Sequence, residues 1–154
     1  MIIAALRDTG YNIVLFLHVV TVIVAMAGAV AHPIMFAFEE RRADGDVVGL
    51  AQRIEAPSRI YAISYAVTGL IGFGLVSMGD WSWGDAWIWI SILLWLASNG
   101  LLHALMLPAE RAVAAGDTSA MDKINKIGPI LSVMILGVIF LMTVKPGADA
   151  LGSF

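Results

Sequence analysis

The stretch that decides the fold is YNIVLFLHVVTVIVAMAGAVAHPIMFAF, from Tyr11 to Phe38, which contains no Asp, Glu, Lys or Arg. A helix needs about 20 predominantly apolar residues to cross the hydrocarbon core of a bilayer, and this run is long enough. Three similar runs follow it, and the four predicted spans are Tyr11–Phe38, Ile60–Gly79, Ala86–Leu107 and Ile127–Val144. The sequence therefore predicts an all-α protein, a four-transmembrane-helix bundle that forms a single integral membrane domain over residues 1–154.

The composition supports this class and excludes several others. Hydrophobic residues make up 60% of the chain, 14% of residues are charged, and the mean hydropathy is +0.87, which is not the composition of a soluble domain. The sequence has no basic stripe, so we expect no nucleic-acid partner. It has no cysteine, which excludes disulfides, thiolate metal sites, iron–sulfur clusters and covalently attached c-type haem. The expected partners are the lipid bilayer and either further copies of the chain or the subunits of a larger membrane complex.

The distribution of basic residues predicts the orientation. Seven of the nine Lys and Arg residues lie in the first and third connections: Arg41, Arg42, Arg53, Arg59, Arg111, Lys123 and Lys126. The second connection, Asp80 to Asp85, has none. Because basic loops stay in the cytoplasm, we expect both termini outside. Within the first connection, residues 47–56 are expected to form a short helix on the inner surface.

Two segments 71 residues apart have nearly the same sequence. They are HPIMFAFE, from His32 to Glu39, with Gly45-Asp46 after it, and HALMLPAE, from His103 to Glu110, with Gly116-Asp117 after it. In both, a histidine lies near the end of an apolar run. Ionisable residues inside a membrane are costly and mark functional sites by default. The repeat favours a duplicated helical hairpin whose two copies face each other and share one site.

Three interpretations of this shared site remain open. His32 and His103 could ligate one haem through two imidazoles. His32, Met35, His103 and Met106 together supply two imidazoles and two thioethers, a set suited to Cu(I). Alternatively, the histidines only donate hydrogen bonds between helices, each worth about 1 kcal/mol.

A third histidine, His18, lies deeper in the first span. It precedes His32 by 14 residues, which places the two within roughly 40° of one helix face and about 21 Å apart along the helix. This spacing resembles that of the four-helix membrane cytochromes b, in which such histidines serve two stacked haems. Trp89 stands where the duplication would place a partner for His18, so one chain supplies at most one bis-histidine site. Met142, on the fourth span, is the best placed thioether to complete a site at His18.

Short motifs in the first and last spans carry a resemblance, covering all four spans, to two related bacterial families, which implies a place in the bacterial inner membrane. The motifs are Leu17-His18-Val19-Val20, Asn125-Lys126-Ile127-Gly128-Pro129 and Val144-Lys145-Pro146-Gly147. One family is the haem b-binding, flavin-independent four-helix membrane protoporphyrinogen oxidase. The other contains predicted integral membrane proteins of unknown function with a similar Lys-Pro-Gly ending.

The resemblance to the oxidase family implies that His18 is a haem ligand. That family also has a lysine in the third span, which would fall near Ser91 or Ile92, where this chain has no lysine. The uncharacterised family therefore fits better, and it implies a fold without a function.

These observations favour a haem b-binding redox protein, or an accessory subunit of a membrane electron-transfer complex. The alternatives are a protoporphyrinogen oxidase-like enzyme, a copper-handling membrane protein and a structural small subunit of a larger membrane complex. The candidate cofactor ligands are His18, His32, His103 and Met142, and the alternative cofactor is copper.

Overall fold

The computed structural model describes residues 9–79 and 81–147, and every regular element in these ranges is helical. The elements are α1 (Thr9–Arg41), α2 (Val47–Met78), α3 (Ala86–Leu101), a π-helical turn (Leu102–Met106), α4 (Leu107–Ala114), a 3₁₀ turn (Thr118–Ala120) and α5 (Met121–Val144). The third rod is continuous from α3 through the π turn into α4. All four rods are long and apolar enough to cross a membrane, which confirms the predicted all-α four-helix fold. Arg7, the basic residue near the N-terminus, and Asp80, the first residue of the second connection, lie outside the described residues.

The first two helices are longer than the predicted spans. α1 has 33 residues and α2 has 32, so each is about 50 Å long against a hydrocarbon core of about 30 Å. Residues 47–56 are helical as predicted, but the prediction that they form a separate surface helix is wrong, because this segment is the beginning of α2. The Asp46 side chain accepts a hydrogen bond from the backbone N–H of Gly49 at 2.7 Å and so caps the longer helix.

The four rods run up and down, so the bundle has two distinct ends. We call the end with the turns at residues 42–46 and 115–117 the basic end, and the end with the connection at residues 79–85 the tryptophan end. α1 packs on α2, the third rod packs on α5, and contacts of α2 with α4 and of α1 with α5 close the bundle. The largest buried apolar cluster lies toward the basic end and comprises Phe36, Leu50, Ala51, Ile54, Met106, Ala109, Val113, Ala120, Met121, Ile124 and Leu131.

The outer surface of the bundle is apolar along its length. Large hydrophobic side chains on all four rods are more than 60% exposed, among them Phe16, Ile23, Leu70, Leu93 and Val133. Soluble monomers rarely expose continuous apolar surface on this scale. The surface therefore fits a bundle surrounded by lipid.

Both copies of the sequence repeat are followed by a turn in which an aspartate caps the next helical segment. Asp46 caps α2, and Asp117 caps the 3₁₀ turn that leads into α5 by accepting a hydrogen bond from the Ser119 N–H at 3.1 Å. Gly116 supplies the positive φ, +99°, that the second turn needs. The Gly-Asp part of the repeat therefore serves to begin helices and not to bind a ligand.

Candidate functional site

A cavity of about 330 Å³ lies between the helices toward the tryptophan end. All four rods contribute to its wall, which is mostly apolar. His18 from α1 and Met142 from α5 both line it, so the structure brings these two predicted ligands to one cavity.

One hydrogen bond sets the protonation of the His18 ring. Its Nδ1 lies 3.0 Å from the backbone carbonyl oxygen of Thr68 on α2. Because a carbonyl oxygen only accepts, Nδ1 carries the hydrogen and donates, and the lone pair of the neutral ring is on Nε2. Within residues 9–79 and 81–147, no group forms a hydrogen bond with Nε2. Metal-ligating histidines are oriented in this way, with the other ring nitrogen donating to a carbonyl.

Small residues make room for this ring. A Cβ atom built on Gly72 would lie 3.4 Å from Cε1 of His18, so the imidazole packs directly against the backbone of α2. An alanine at this position would make an ordinary van der Waals contact with the ring. Gly72 therefore leaves space for the His18 ring beside α2.

Two further side chains give the cavity a polar character near the tryptophan end. Trp87 is 3% exposed and lines the cavity, and its Nε1 has no hydrogen-bond partner in the part of the chain that the structure describes. An indole N–H is a donor only, and burying it unpaired costs about 1–3 kcal/mol. Lys145 also lines the cavity, with its Nζ 4.0 Å from the centroid of the Trp81 ring. Both groups are suited to an anionic or hydrogen-bond-accepting ligand.

His32 lies in a different environment, toward the basic end. It is 6% exposed, and its Nδ1 is 3.2 Å from Oγ of Ser58 and 3.6 Å from Oε1 of Glu110. The ring also packs against Tyr61, with 5.1 Å between the ring centroids. His18 and His32 thus both contact α2, as expected for two residues on one face of α1.

Pro33 has the effect expected of a proline within a membrane helix. Lacking an N–H, it leaves the carbonyl of Ala29 without its helical partner. Oγ of Ser132 on α5 lies 3.0 Å from this carbonyl and 3.0 Å from the Gly128 carbonyl of its own helix, so its one hydrogen is shared between them. The contact joins α1 to α5 next to His32.

His103 does not face His32, and this expectation from the repeat is wrong. His103 is exposed on the outer side of the third rod, whereas His32 is buried. The methionine that follows the buried His32, Met35, is 41% exposed, whereas the methionine that follows the exposed His103, Met106, is 4% exposed. The structure therefore assembles neither the predicted bis-histidine pair nor the four-residue copper set.

The π turn explains the outward direction of His103. In a regular α-helix, His103 and Glu110 would share a face, because seven residues make about two turns. The N–H of Leu107 instead bonds to the carbonyl of Leu102, five residues back. This extra residue rotates His103 about 100° away from the buried face. The wide turn precedes Pro108, which has no N–H to offer the carbonyl of Ala104.

Sequence reasoning missed Glu110 as a functional candidate, because Glu110 lies beyond Leu107, the predicted end of the third span. Among the described acidic residues it is the one that is buried, at 5% exposure. Its Oε2 has no hydrogen-bond partner in the described chain. The repeat already contained the signal, since it placed a glutamate seven residues after each histidine.

Asn99, one turn before His103, bonds within its own helix. Its Nδ2 donates to the carbonyl of Trp95 at 2.9 Å, and its buried Oδ1 has no partner in the part of the chain that is described. Residues 9–79 and 81–147 also contain no cluster of three or more His, Asp or Glu side chains that could hold a metal ion.

Comparison with known proteins adds no constraint on this site. No protein-family model matches the chain, and no curated protein or solved structure is significantly similar to it.

Proposed function

We propose that this protein binds haem b in the cavity at the tryptophan end and carries electrons, either alone or as an accessory subunit of a membrane electron-transfer complex. The observation that supports this most is the His18 geometry. Its Nδ1 donates to the Thr68 carbonyl at 3.0 Å, so the lone pair of Nε2 remains for a metal at the wall of a largely apolar cavity.

The side chains around the cavity fit this group. The volume of about 330 Å³ falls at the lower end of the range of about 300–1,000 Å³ that is usual for ligand sites. His18 would hold the iron on one side, and the thioether of Met142 is the candidate for the other. The N–H of Trp87 and the ammonium of Lys145 are suited to the two carboxylates of the porphyrin. Bound haem would supply reversible one-electron transfer.

The oxidase alternative is less well supported by the residues at the cavity. Ser91 and Ile92, where the oxidase family has its lysine, both line the wall. The Ser91 hydroxyl donates to the carbonyl of Trp87 at 2.7 Å, within its own helix, and supplies no positive charge. The copper alternative loses its basis because His103 and Met35 point outward. We therefore favour electron transfer over porphyrinogen oxidation and over copper handling.

We further propose that the protein lies in the plasma membrane of a bacterium, with the basic end in the cytoplasm and both termini outside. The concentration of Lys and Arg at the basic end supports this orientation. The haem would then lie in the outer half of the bilayer.

The test is the dithionite-reduced minus oxidised visible spectrum of the purified protein in detergent. We expect a b-type spectrum in the wild type, its loss in His18→Ala, and no change in His103→Ala, which alters an exposed histidine of the same type. A wild-type protein without haem, even after incubation with haemin, would contradict the proposal. Loss of the spectrum in His103→Ala with retention in His18→Ala would contradict the assigned ligand.

A further inference from the structure

We propose that His32 and Glu110 form a proton-binding site toward the basic end, which holds one proton between a buried carboxylate and a buried imidazole. The proposal concerns a different part of the bundle from the cavity at His18. It stands whether or not that cavity binds haem.

The burial of the pair is the first argument. The side chains of His32 and Glu110 are 7% and 6% exposed, and Nδ1 lies 3.6 Å from Oε1. In the described chain, Glu110 has no other ion-pair partner. With no proton to share, the pair would carry one negative charge out of water without a compensating cation, which is costly. With one proton, its net charge is zero, whether the proton is on nitrogen or on oxygen.

The second argument is the unsatisfied oxygen of Glu110. Oε2 is buried and has no hydrogen-bond partner within the described residues. An ionised carboxylate can accept about four hydrogen bonds, so Glu110 lacks most of the partners that would stabilise its charge. A metal cation would require several oxygen ligands, whereas the groups at the pair are one imidazole and the Ser58 hydroxyl. The imidazole, the carboxylate and the Ser58 hydroxyl are too few to bind a metal ion but are sufficient to bind a proton.

The surroundings of His32 supply partners for proton exchange. A cavity of about 40 Å³ adjoins His32, and its polar wall residues are His32, Ser58, Tyr61 and Tyr65. This volume is enough for one water molecule. The titratable side chains of α2 that line this cavity are the two tyrosines, and the α5 residues that line it are apolar. Glu55 and Arg59, the charged residues of α2 on either side of Ser58, pair with each other at 2.6 Å.

The repeat provides a matched comparison within the same chain. The pair takes its histidine from the first copy and its glutamate from the second. The complementary residues, His103 and Glu39, do not form an equivalent site. His103 is exposed, and Glu39 is partly exposed and paired with Arg42 at 3.4 Å. Substitutions of His103 and Glu39 therefore serve as controls, because each removes the same type of side chain without changing the His32–Glu110 pair.

The experiment is a pH titration of the full chain in lipid bilayers by solid-state NMR, with ¹⁵N-labelled histidine and ¹³C-carboxyl-labelled glutamate. We expect the His32 and Glu110 resonances to change together in one step that involves one proton. Glu110→Gln should lower the proton affinity of His32 at least about tenfold, because a nearby negative charge stabilises the imidazolium. Glu39→Gln should leave the His32 titration unchanged.

Three results would overturn the proposal. The first is a His32 titration that is the same in Glu110→Gln as in the wild type. The second is a Glu110 carboxyl resonance that does not respond where His32 does. The third is a metal ion found in stoichiometric amount by elemental analysis and lost in Glu110→Gln. Helical circular dichroism of each variant shows that the bundle is folded, and the nearly isosteric His32→Gln variant, in which the Glu110 resonance must shift, gives an independent reading.

Discussion

Two glycines on the same helix should respond in opposite ways to the same substitution. Gly69 and Gly74 both lie in α2, five residues apart. A Cβ atom added at Gly69 would overlap the indole ring of Trp95 on α3, whereas a Cβ atom at Gly74 has nothing within 4 Å. We therefore expect Gly69→Ala to destabilise the bundle and Gly74→Ala to be neutral or stabilising.

The size of the effect follows from the contacts of Trp95. Inserting a methyl group into a filled contact costs about 1–3 kcal/mol. The indole Nε1 also donates to the carbonyl of Tyr65 at 2.9 Å, and displacing the ring would lose this bond, worth about 1 kcal/mol. Gly69→Ala should thus cost about 2–4 kcal/mol in the free energy of unfolding. Gly74→Ala should raise the free energy of unfolding by up to about 1 kcal/mol, because alanine loses less backbone entropy than glycine when the helix forms.

The assay is reversible unfolding of the purified protein in mixed micelles with increasing sodium dodecyl sulfate, followed by far-ultraviolet circular dichroism. Each variant adds one methyl group to α2, so the two have the same composition. Equal unfolding midpoints for the two variants would refute the packing of Gly69 against Trp95.

Three further predictions concern a contact between helices, a helix cap and the orientation. Ser132→Ala removes the hydroxyl that bonds to the α1 carbonyl freed by Pro33, and it should lower the unfolding free energy by about 0.6–1 kcal/mol in the same assay; an unchanged midpoint would contradict this role. Asp46→Ala removes the cap of α2 and should cost about 1 kcal/mol, with Asp46→Asn as the control that keeps a capping oxygen. In this cysteine-free chain, Asp44→Cys should react with an impermeant thiol reagent only from the cytoplasmic side and Ser82→Cys only from the outside; the reverse pattern would invert the proposed orientation.

The fold could be predicted from the sequence because the bilayer imposes a simple requirement. Apolar runs of sufficient length must be helical, and four of them leave little else to arrange. The helical state of residues 47–56 was predicted, but their continuity with the second span was not, because they are too polar to read as part of a span. Their helical state depends on the cap at Asp46 and on burial of Leu50 and Ile54 against other helices.

The candidate site could be predicted in part. His18 lies in an apolar run, where an unpaired polar group is unfavourable in free energy, so the sequence indicated that it needs a partner. The position of Met142 along the fourth span indicated a similar depth in the membrane. The Thr68 carbonyl and the Trp87 indole could not be found in this way, because contacts between helices leave no periodic signal. The partner of His32 was assigned wrongly, since the repeat gave the correct depth but the π turn before Pro108 changed the direction of His103.

The most direct test of the central claim, that the imidazole of His18 ligates haem iron, is chemical rescue of His18→Gly by free imidazole. The reduced-minus-oxidised visible spectrum is recorded for the purified variant with and without imidazole, beside the wild type. We predict that the variant lacks the b-type band and regains it when imidazole occupies the space left by the side chain. A variant that keeps the wild-type band without imidazole, or a wild-type protein that has no such band, would contradict the claim.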